Sequence, residues 1–415
     1  MPSTTVTSRE HLLHMLAEAA ELEHNLLCSY LYAAFSLKRG LDEDLLPDEL
    51  DAVQRWRDTI MHVCMEEMAH LAQVANLMVA VGSRPHFDRP NLPVAAGYHP
   101  ASIQVALAPF DLDTLEHFIF LERPADSSLR DPAPFEHIAE APERTAAGGV
   151  LMPSAPEYAT IGAFYDMLTE GLAALCDQLG ESRLFIGPAA NQLRPDEIGI
   201  DELSVVTDLR SAQQALHLII VQGEGAPGAT DESHFKAFMG IKEEYQRLQA
   251  ARPAFHPSRD VARNPVMRAP LADERVHITA PAATAVLDAA NAAYALMLRA
   301  LGAVYDTGAD CPQRRQALLG CATGMMALLA RLSERLTTLP ADAGDGVRAG
   351  VSFTVLRSTE GWTPGVDSAA LVLEQLASIR AQLPRLEMDT AVLAKVDALI
   401  ARLAEASDAV EENAS

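Results

Sequence analysis

A carboxylate and an imidazole interrupt an otherwise apolar helical stripe, and this constrains the fold more than any other feature of the chain. Val53, Trp56, Ile60, Val63, Glu67, His70, Val74 and Leu77 recur at alternating intervals of three and four, the spacing of one helix face. Glu67 and His70 therefore point inward and can reach one metal ion together. A buried carboxylate is costly unless a cation, a proton or a donor meets it. Glu66 belongs instead to the stripe Thr59, His62, Glu66, Ala69, Gln73, which reads as a more polar face. A single Glu-x-x-His pair also arises by chance, so a matching inward acid on another helix is what distinguishes a site from a coincidence.

The N-terminal segment supplies one. Thr7 and Glu10 have the capping-box spacing, and a helical pattern runs from there to about Lys38, stopping before Gly40. Its apolar stripe, Leu13, Leu16, Ala20, Glu23, Leu27, Tyr30, Ala34, is broken by Glu23 as the other is by Glu67. Glu18 and Glu21 share the opposite stripe with His14 and Asn25 and are expected in solvent. His24 reads either as a partner beside Glu23 or as a core histidine bonded to backbone. The second helix is expected from Pro47, with Asp48 and Glu49 in its first turn, to the Gly82–Pro85 region. Two long helices joined by a short polar link lie antiparallel, which brings Glu23 near Glu67 and His70.

These pieces resemble a known family. Glu21-Leu-Glu-His24, Tyr30-Leu-Tyr32, Glu66-Glu-Met-Ala-His-Leu71 and Val81-Gly-Ser-Arg-Pro85 are similar to the ferritin-like family named after iminophenyl-pyruvate dimer synthase, which includes the dimerising enzymes of violacein and indolocarbazole pathways. The resemblance continues through Pro109-Phe-Asp-Leu-Asp-Thr-Leu115, Phe118-Ile-Phe-Leu-Glu-Arg-Pro124, Thr160-Ile-Gly-Ala-Phe-Tyr165, Gln222-Gly-Glu-Gly225 and Ser233-His-Phe235. It implies an all-α, ferritin-like four-helix bundle with a long crossover between helices two and three. Residues 1–255 are expected to form this metal-binding domain and 256–415 an accessory helical domain.

The crossover, from Pro85 to Pro156, is rich in Pro and Asp, with a short helix expected over Leu112 to Phe120. Glu122 within it reads as the partner of Arg123 or another cation. Helix three is expected over about Glu157 to Leu179, with the seam Ile161, Tyr165, Leu168, Leu172, Leu175, Leu179. Tyr165 is a candidate catalytic phenol lining the pocket, with a core tyrosine as the alternative. Relatives often carry Glu where this chain has Ala163, and Glu170 is the best local substitute as a ligand. Helix four begins near Asp208 and breaks across Gly223-Glu-Gly-Ala-Pro-Gly228. It resumes around Asp231 with the stripe His234, Phe238, Ile241, Tyr245, Leu248. The resemblance makes Glu224 and His234 the ligands that mirror Glu67 and His70, whereas spacing alone favours Asp231 as the acid.

The rest of the chain narrows the chemistry. With 57 acidic against 32 basic residues and a formal net charge of −25, no nucleic-acid surface is expected. No stretch approaches the ~18 continuous apolar residues of a membrane span, and Met1 to Ser8 lacks a charged start before an apolar core, so a cytoplasmic, membrane-free protein is expected. Five scattered cysteines read as small buried hydrophobes. Helices expected over 282–305, 312–338, 368–382 and 388–406 suggest a bundle extension or a dimerisation element, and with it a homo-oligomer. Carboxylates and imidazoles without thiolates suit iron or manganese and would also bind zinc or copper; two iron ions are expected, with manganese as the alternative. The expected activity is a non-haem iron oxidase or oxygenase, in which dioxygen or peroxide acts on a small amino-acid-derived substrate, as in oxidative coupling of an imine. An iron-storage or metal-handling protein is the alternative.

Overall fold

Ser8 starts the first helix, accepting a hydrogen bond from the His11 N–H at 3.2 Å; the cap is one residue later than Thr7. The computed structural model describes residues 6–94, 98–99, 103–125, 127–135, 158–223, 233–270, 275–308, 311–344, 346–357 and 366–414. By its internal contacts the chain divides into two units, Met1–Arg84 with Pro93–Ala189 and Ile200–Arg259, and Pro85–Leu92 with Ala190–Gly199 and Asp260–Ser415.

The first unit is built on α1 (Arg9–Ser36) and α2 (Pro47–Ala80), which pack along each other. Pro47 opens α2, where its missing N–H costs nothing, and the Glu49 carboxylate caps the same end by accepting from Leu46 N–H at 2.8 Å. Gly82 closes it at φ +90, a conformation strained for other residues. A short α3 (Leu112–Leu121) lies in the crossover, started by the Asp111 side chain, which accepts from Thr114 N–H at 2.7 Å. Then come α4 (Ile161–Leu179), α5 (Glu181–Leu184), α6 (Pro195–Ile198, in the second unit), α7 (Leu209–Gly223) and α8 (His234–Ala251). The fourth member of the bundle is thus two helices. α4 packs on α1 and α7, α2 on α7 and α8, and α3 on α8. This is the expected all-α, ferritin-like bundle with a long crossover.

α1 is buried on almost every side, which departs from a two-faced helix. Glu18 and Glu21 are 3% and 4% exposed rather than in solvent. The crossover covers them and supplies the partners that make their burial tolerable. His99 Nδ1 lies 2.6 Å from Glu18 Oε1, Tyr98 donates to Glu21 at 2.8 Å, and Ser29 Oγ donates to the Ala106 carbonyl at 3.0 Å.

The second unit holds α9 (Pro281–Asp306), α10 (Pro312–Leu336), α11 (Ser368–Gln382) and α12 (Thr390–Ala414), with a two-residue parallel strand pair, β1 (Pro265–Val266) and β2 (Val276–His277). Arg315 on α10 is 3% exposed and pairs with Glu197 at 2.6 Å, while donating to the carbonyls of Gln192 and Val304 at 2.7 and 2.6 Å. One guanidinium therefore fixes the 190–199 segment to the end of α9. Among the described residues, α10 is the one helix long and apolar enough to cross a membrane; 56% of its most apolar window is buried, as in a core helix. Four of the cysteines are buried and Cys311 is exposed.

Candidate metal centre

Three elements deliver carboxylates to one point in the first unit. Glu23 comes from the middle of α1, Glu67 with His70 from α2, and Glu122 from the C-cap of α3; His234 is the first residue of α8. All five are buried, between 1% and 5% exposed. Their side-chain atoms form two overlapping groups, Glu23 with Glu67 and His70, and Glu67 with Glu122 and His234, the donors within each lying within 4.8 Å of one another. Glu67 belongs to both.

The histidines face the carboxylates through Nδ1. His70 Nδ1 is 3.2 Å from Glu23 Oε2 and 3.6 Å from Glu67 Oε2, and His234 Nδ1 is 2.9 Å from Glu67 Oε1 and 3.7 Å from Glu122 Oε2. Their Nε2 atoms are held from behind. His70 Nε2 donates to Gln222 Oε1 at 2.8 Å, Gln222 Nε2 donates to Glu66 Oε1 at 3.1 Å, and His234 Nε2 donates to Glu66 Oε2 at 3.2 Å. With protons on both Nε2 atoms, Nδ1 is the nitrogen left to bind a cation. Two phenols complete the cluster: Tyr165 donates to Glu23 Oε1 and Tyr30 to Glu122 Oε1.

The electrostatics match so dense a group of charges. Burial, reinforced by the charge of Glu67, pushes the Glu23 carboxyl up to about 8. Burial opposes ionisation of Glu67 as well, but the His234 and His70 imidazoles beside it together outweigh that and hold the carboxyl well below the ordinary range. Burial alone would lower His70; the Glu23 and Glu67 carboxylates beside it raise it to about 10, and the neighbouring carboxylates of Glu122, Glu66 and Glu67 hold His234 above its ordinary value. Burial and the adjoining carboxylates raise the Tyr165 and Tyr30 phenols far above theirs.

Either group of these residues could hold a metal ion. Glu67 Oε2 and His234 Nδ1 are buried and take part in no hydrogen bond among the described residues, which leaves their lone pairs for a ligand that is not a hydrogen-bond donor. Three carboxylates and two imidazoles form an oxygen and nitrogen donor set suited to iron or manganese. A pocket opens beside them, walled by Leu26, Leu121, Ile219 and Ile220 and reached by Tyr165 and Arg123. Burial lowers the pKa of the Arg123 guanidinium, partly opposed by Asp131.

Of the residues expected at the site, Glu23, Glu67, His70, His234 and Tyr165 are brought together. Glu170 is exposed and stays outside the cluster, because α4 turns Tyr165, Leu168 and Leu172 inward and residue 170 falls on the opposite face. Glu224 and Asp231 lie outside the described residues. Glu122, Glu66 and Gln222 are additions. Glu66, read as part of a polar face, is half-turned to the cluster at 18% side-chain exposure and links both histidines. Glu122 sits where a helix ends, beyond the reach of periodicity, and Arg123 is bonded to the Phe120 and Ala159 carbonyls rather than to it.

A family model described as ferritin-like matches residues 16–243, more than half of the chain. Dichlorochromopyrrolate synthase of Lentzea aerocolonigenes is 26% identical over 84% of this chain and 36% of its own length. The 2-imino-3-(indol-3-yl)propanoate dimerase of Chromobacterium violaceum is 28% identical over 81% of this chain and 33% of its own length. The chain thus spans about a third of the curated relatives it matches. A crystal structure of a ferritin-like protein from Caulobacter vibrioides aligns over 84% of this chain and all of its own, with TM-score 0.49 and 18% identity.

Proposed function

Because the chain belongs to the ferritin-like family, we propose that it is a metal-dependent oxidative enzyme of specialised metabolism, acting on a small acid derived from an aromatic amino acid. The observation that carries this reading is Glu67, whose two oxygens face two separate groups of donors. A shared carboxylate of that kind holds two cations close together. An iron pair held by Glu23, Glu67 and His70 on one side and Glu67, Glu122 and His234 on the other would supply dioxygen-dependent redox chemistry.

The chain's own groups do the rest. Tyr165 and Tyr30 hold Glu23 and Glu122 in place by hydrogen bonds, and Glu66 with Gln222 aims both imidazoles. Leu26, Leu121, Ile219 and Ile220 keep bulk water from the reacting centre. The substrate class is supported by the relatives, one of which is named for dimerising an imino acid with an indole side chain. Their full reactions belong to longer chains, so oxidative coupling of such an imine is proposed here for this domain's share of that chemistry.

The test uses purified protein and arylpyruvates mixed with ammonium, which generate the imino acid in solution. Oxygen uptake that requires the organic substrate, together with bound iron that disappears in Glu67→Ala, is expected. Unchanged metal content in Glu67→Ala overturns the reading, and iron uptake without any organic substrate replaces it with a storage role.

A further inference from the structure

The cavity beside the metal centre has one cationic wall. Arg123 lines it directly after Glu122 in the chain, so one residue faces the metal centre while the next faces the space where a substrate would lie. Its side chain is buried, 9% exposed, and fixed in place. The guanidinium stacks over the Phe120 ring at 3.7 Å, donates to the Ala159 carbonyl at 2.7 Å and also to the Phe120 carbonyl. Among the described residues no carboxylate lies within ion-pair distance of it, whereas Arg252, Arg259 and Arg315 each pair with a glutamate at 2.6 Å. Buried guanidinium groups are ordinarily paired with an anion, and two neutral carbonyls leave further N–H groups of the fork to be used.

The surroundings add to that preference. Ile161 and Gly162, at the start of α4, line the same cavity. The Thr160 side chain caps Ala163 N–H at 3.2 Å, and the first amides of a 19-residue helix carry the positive end of its dipole. The remaining wall, Leu26, Leu121, Ile219 and Ile220, is apolar.

We propose that Arg123 anchors the carboxylate of an organic acid whose apolar body lies against Leu26, Leu121, Ile219 and Ile220, leaving the carbon next to the carboxylate turned toward Glu122 and the metal centre. Arg123 is thus a substrate-binding residue that selects acids over their neutral counterparts. The proposal rests on the oxidative reading only for the location of the substrate, and its test requires no turnover.

Binding of indole-3-propionate and of indole-3-propionamide is measured by calorimetry, on the protein as purified and after chelation. The acid is expected to bind about tenfold or more tightly than the amide in both preparations, the difference one charge-assisted contact makes. Arg123→Met should abolish that preference and Arg123→Lys should keep part of it, because a lysine retains the charge without the fork. The acid–amide comparison in the unaltered protein decides the matter even if Arg123→Met does not fold. Equal binding of acid and amide, no binding of the acid, or an unchanged preference in folded Arg123→Met overturns the proposal. Loss of acid binding in Glu67→Ala but not in Arg123→Met places the carboxylate on the metal centre, which overturns this proposal and leaves the oxidative reading intact. Arg123-dependent acid binding in a protein that never holds metal does the reverse.

Discussion

Gln222 Oε1 lies 2.8 Å from His70 Nε2, on the opposite edge of the imidazole from Glu23, whose Oε2 is 3.2 Å from Nδ1. Through Glu66 the same amide reaches His234, so one outer chain of hydrogen bonds sets the orientation of both rings. Outer partners of this kind are typically worth about 10- to 100-fold in metal affinity. Gln222→Leu and Glu66→Leu should each weaken iron or manganese binding by that order, measured by competition with a chelator. Their circular dichroism should match the unaltered protein, since neither residue is part of the apolar core.

The overlap at Glu67 makes a prediction about stoichiometry. Glu23→Ala removes a donor from one group only and Glu122→Ala from the other. Each should leave about one ion per chain, while Glu67→Ala should leave none, because binding follows the number of donors that remain. Elemental analysis of the three purified variants checks this. Equal loss in Glu23→Ala and Glu67→Ala would mean that the two groups do not act as separate sites.

How far these residues could be read in advance follows from where they sit. Glu23, Glu67 and His70 lie in the middle of helices of 28 and 34 residues, where a polar residue in an apolar stripe stands out against many turns of regular spacing. Glu122 caps a helix of 10 residues, too short for a stripe to form, and only its family-like neighbours Phe118 to Pro124 marked it. Gln222 lies at the end of α7, and nothing in spacing distinguishes an amide that bonds an imidazole from one in solvent. Glu18 and Glu21 show the complementary failure. Two acids on the far stripe of a helix read as exposed, because burial by the crossover is a tertiary event that the local pattern of α1 does not record. Glu170 was an expectation by analogy with relatives, and the inward rotation of Tyr165 and Leu168 set its face outward.

Tyr165 can be tested for stability apart from catalysis. Its hydroxyl donates to Glu23 Oε1 inside the bundle, and the residue is 1% exposed. Tyr165→Phe preserves the ring packing against Phe164, at 5.6 Å between centroids, but leaves a buried acceptor without its donor, a loss of about 1–3 kcal/mol. Urea unfolding of chelated protein should show that decrease without a change in slope. No change in midpoint would mean that water or another donor replaces the hydroxyl.

The second unit offers a prediction whose sign depends on pH. Arg315 is buried and holds Glu197 at 2.6 Å together with the carbonyls of Gln192 and Val304. Removing one partner of such a pair leaves the other uncompensated, so Arg315→Met should destabilise by about 3–5 kcal/mol near neutral pH. Burial works against ionisation of Glu197, but the hydrogen bonds and charges of Arg315 and Arg194 together outweigh it and bring its pKa below the ordinary 4.5. A carboxyl depressed on folding adds stability that is present in full above its unfolded value and is lost as pH falls through its folded one. The difference between the unaltered protein and Glu197→Gln should therefore be constant from pH 7 to about 5 and shrink below about 4.5. Denaturant midpoints taken across that range test it, and a difference that grows on acidification would show that Glu197 is not held as an anion by Arg315.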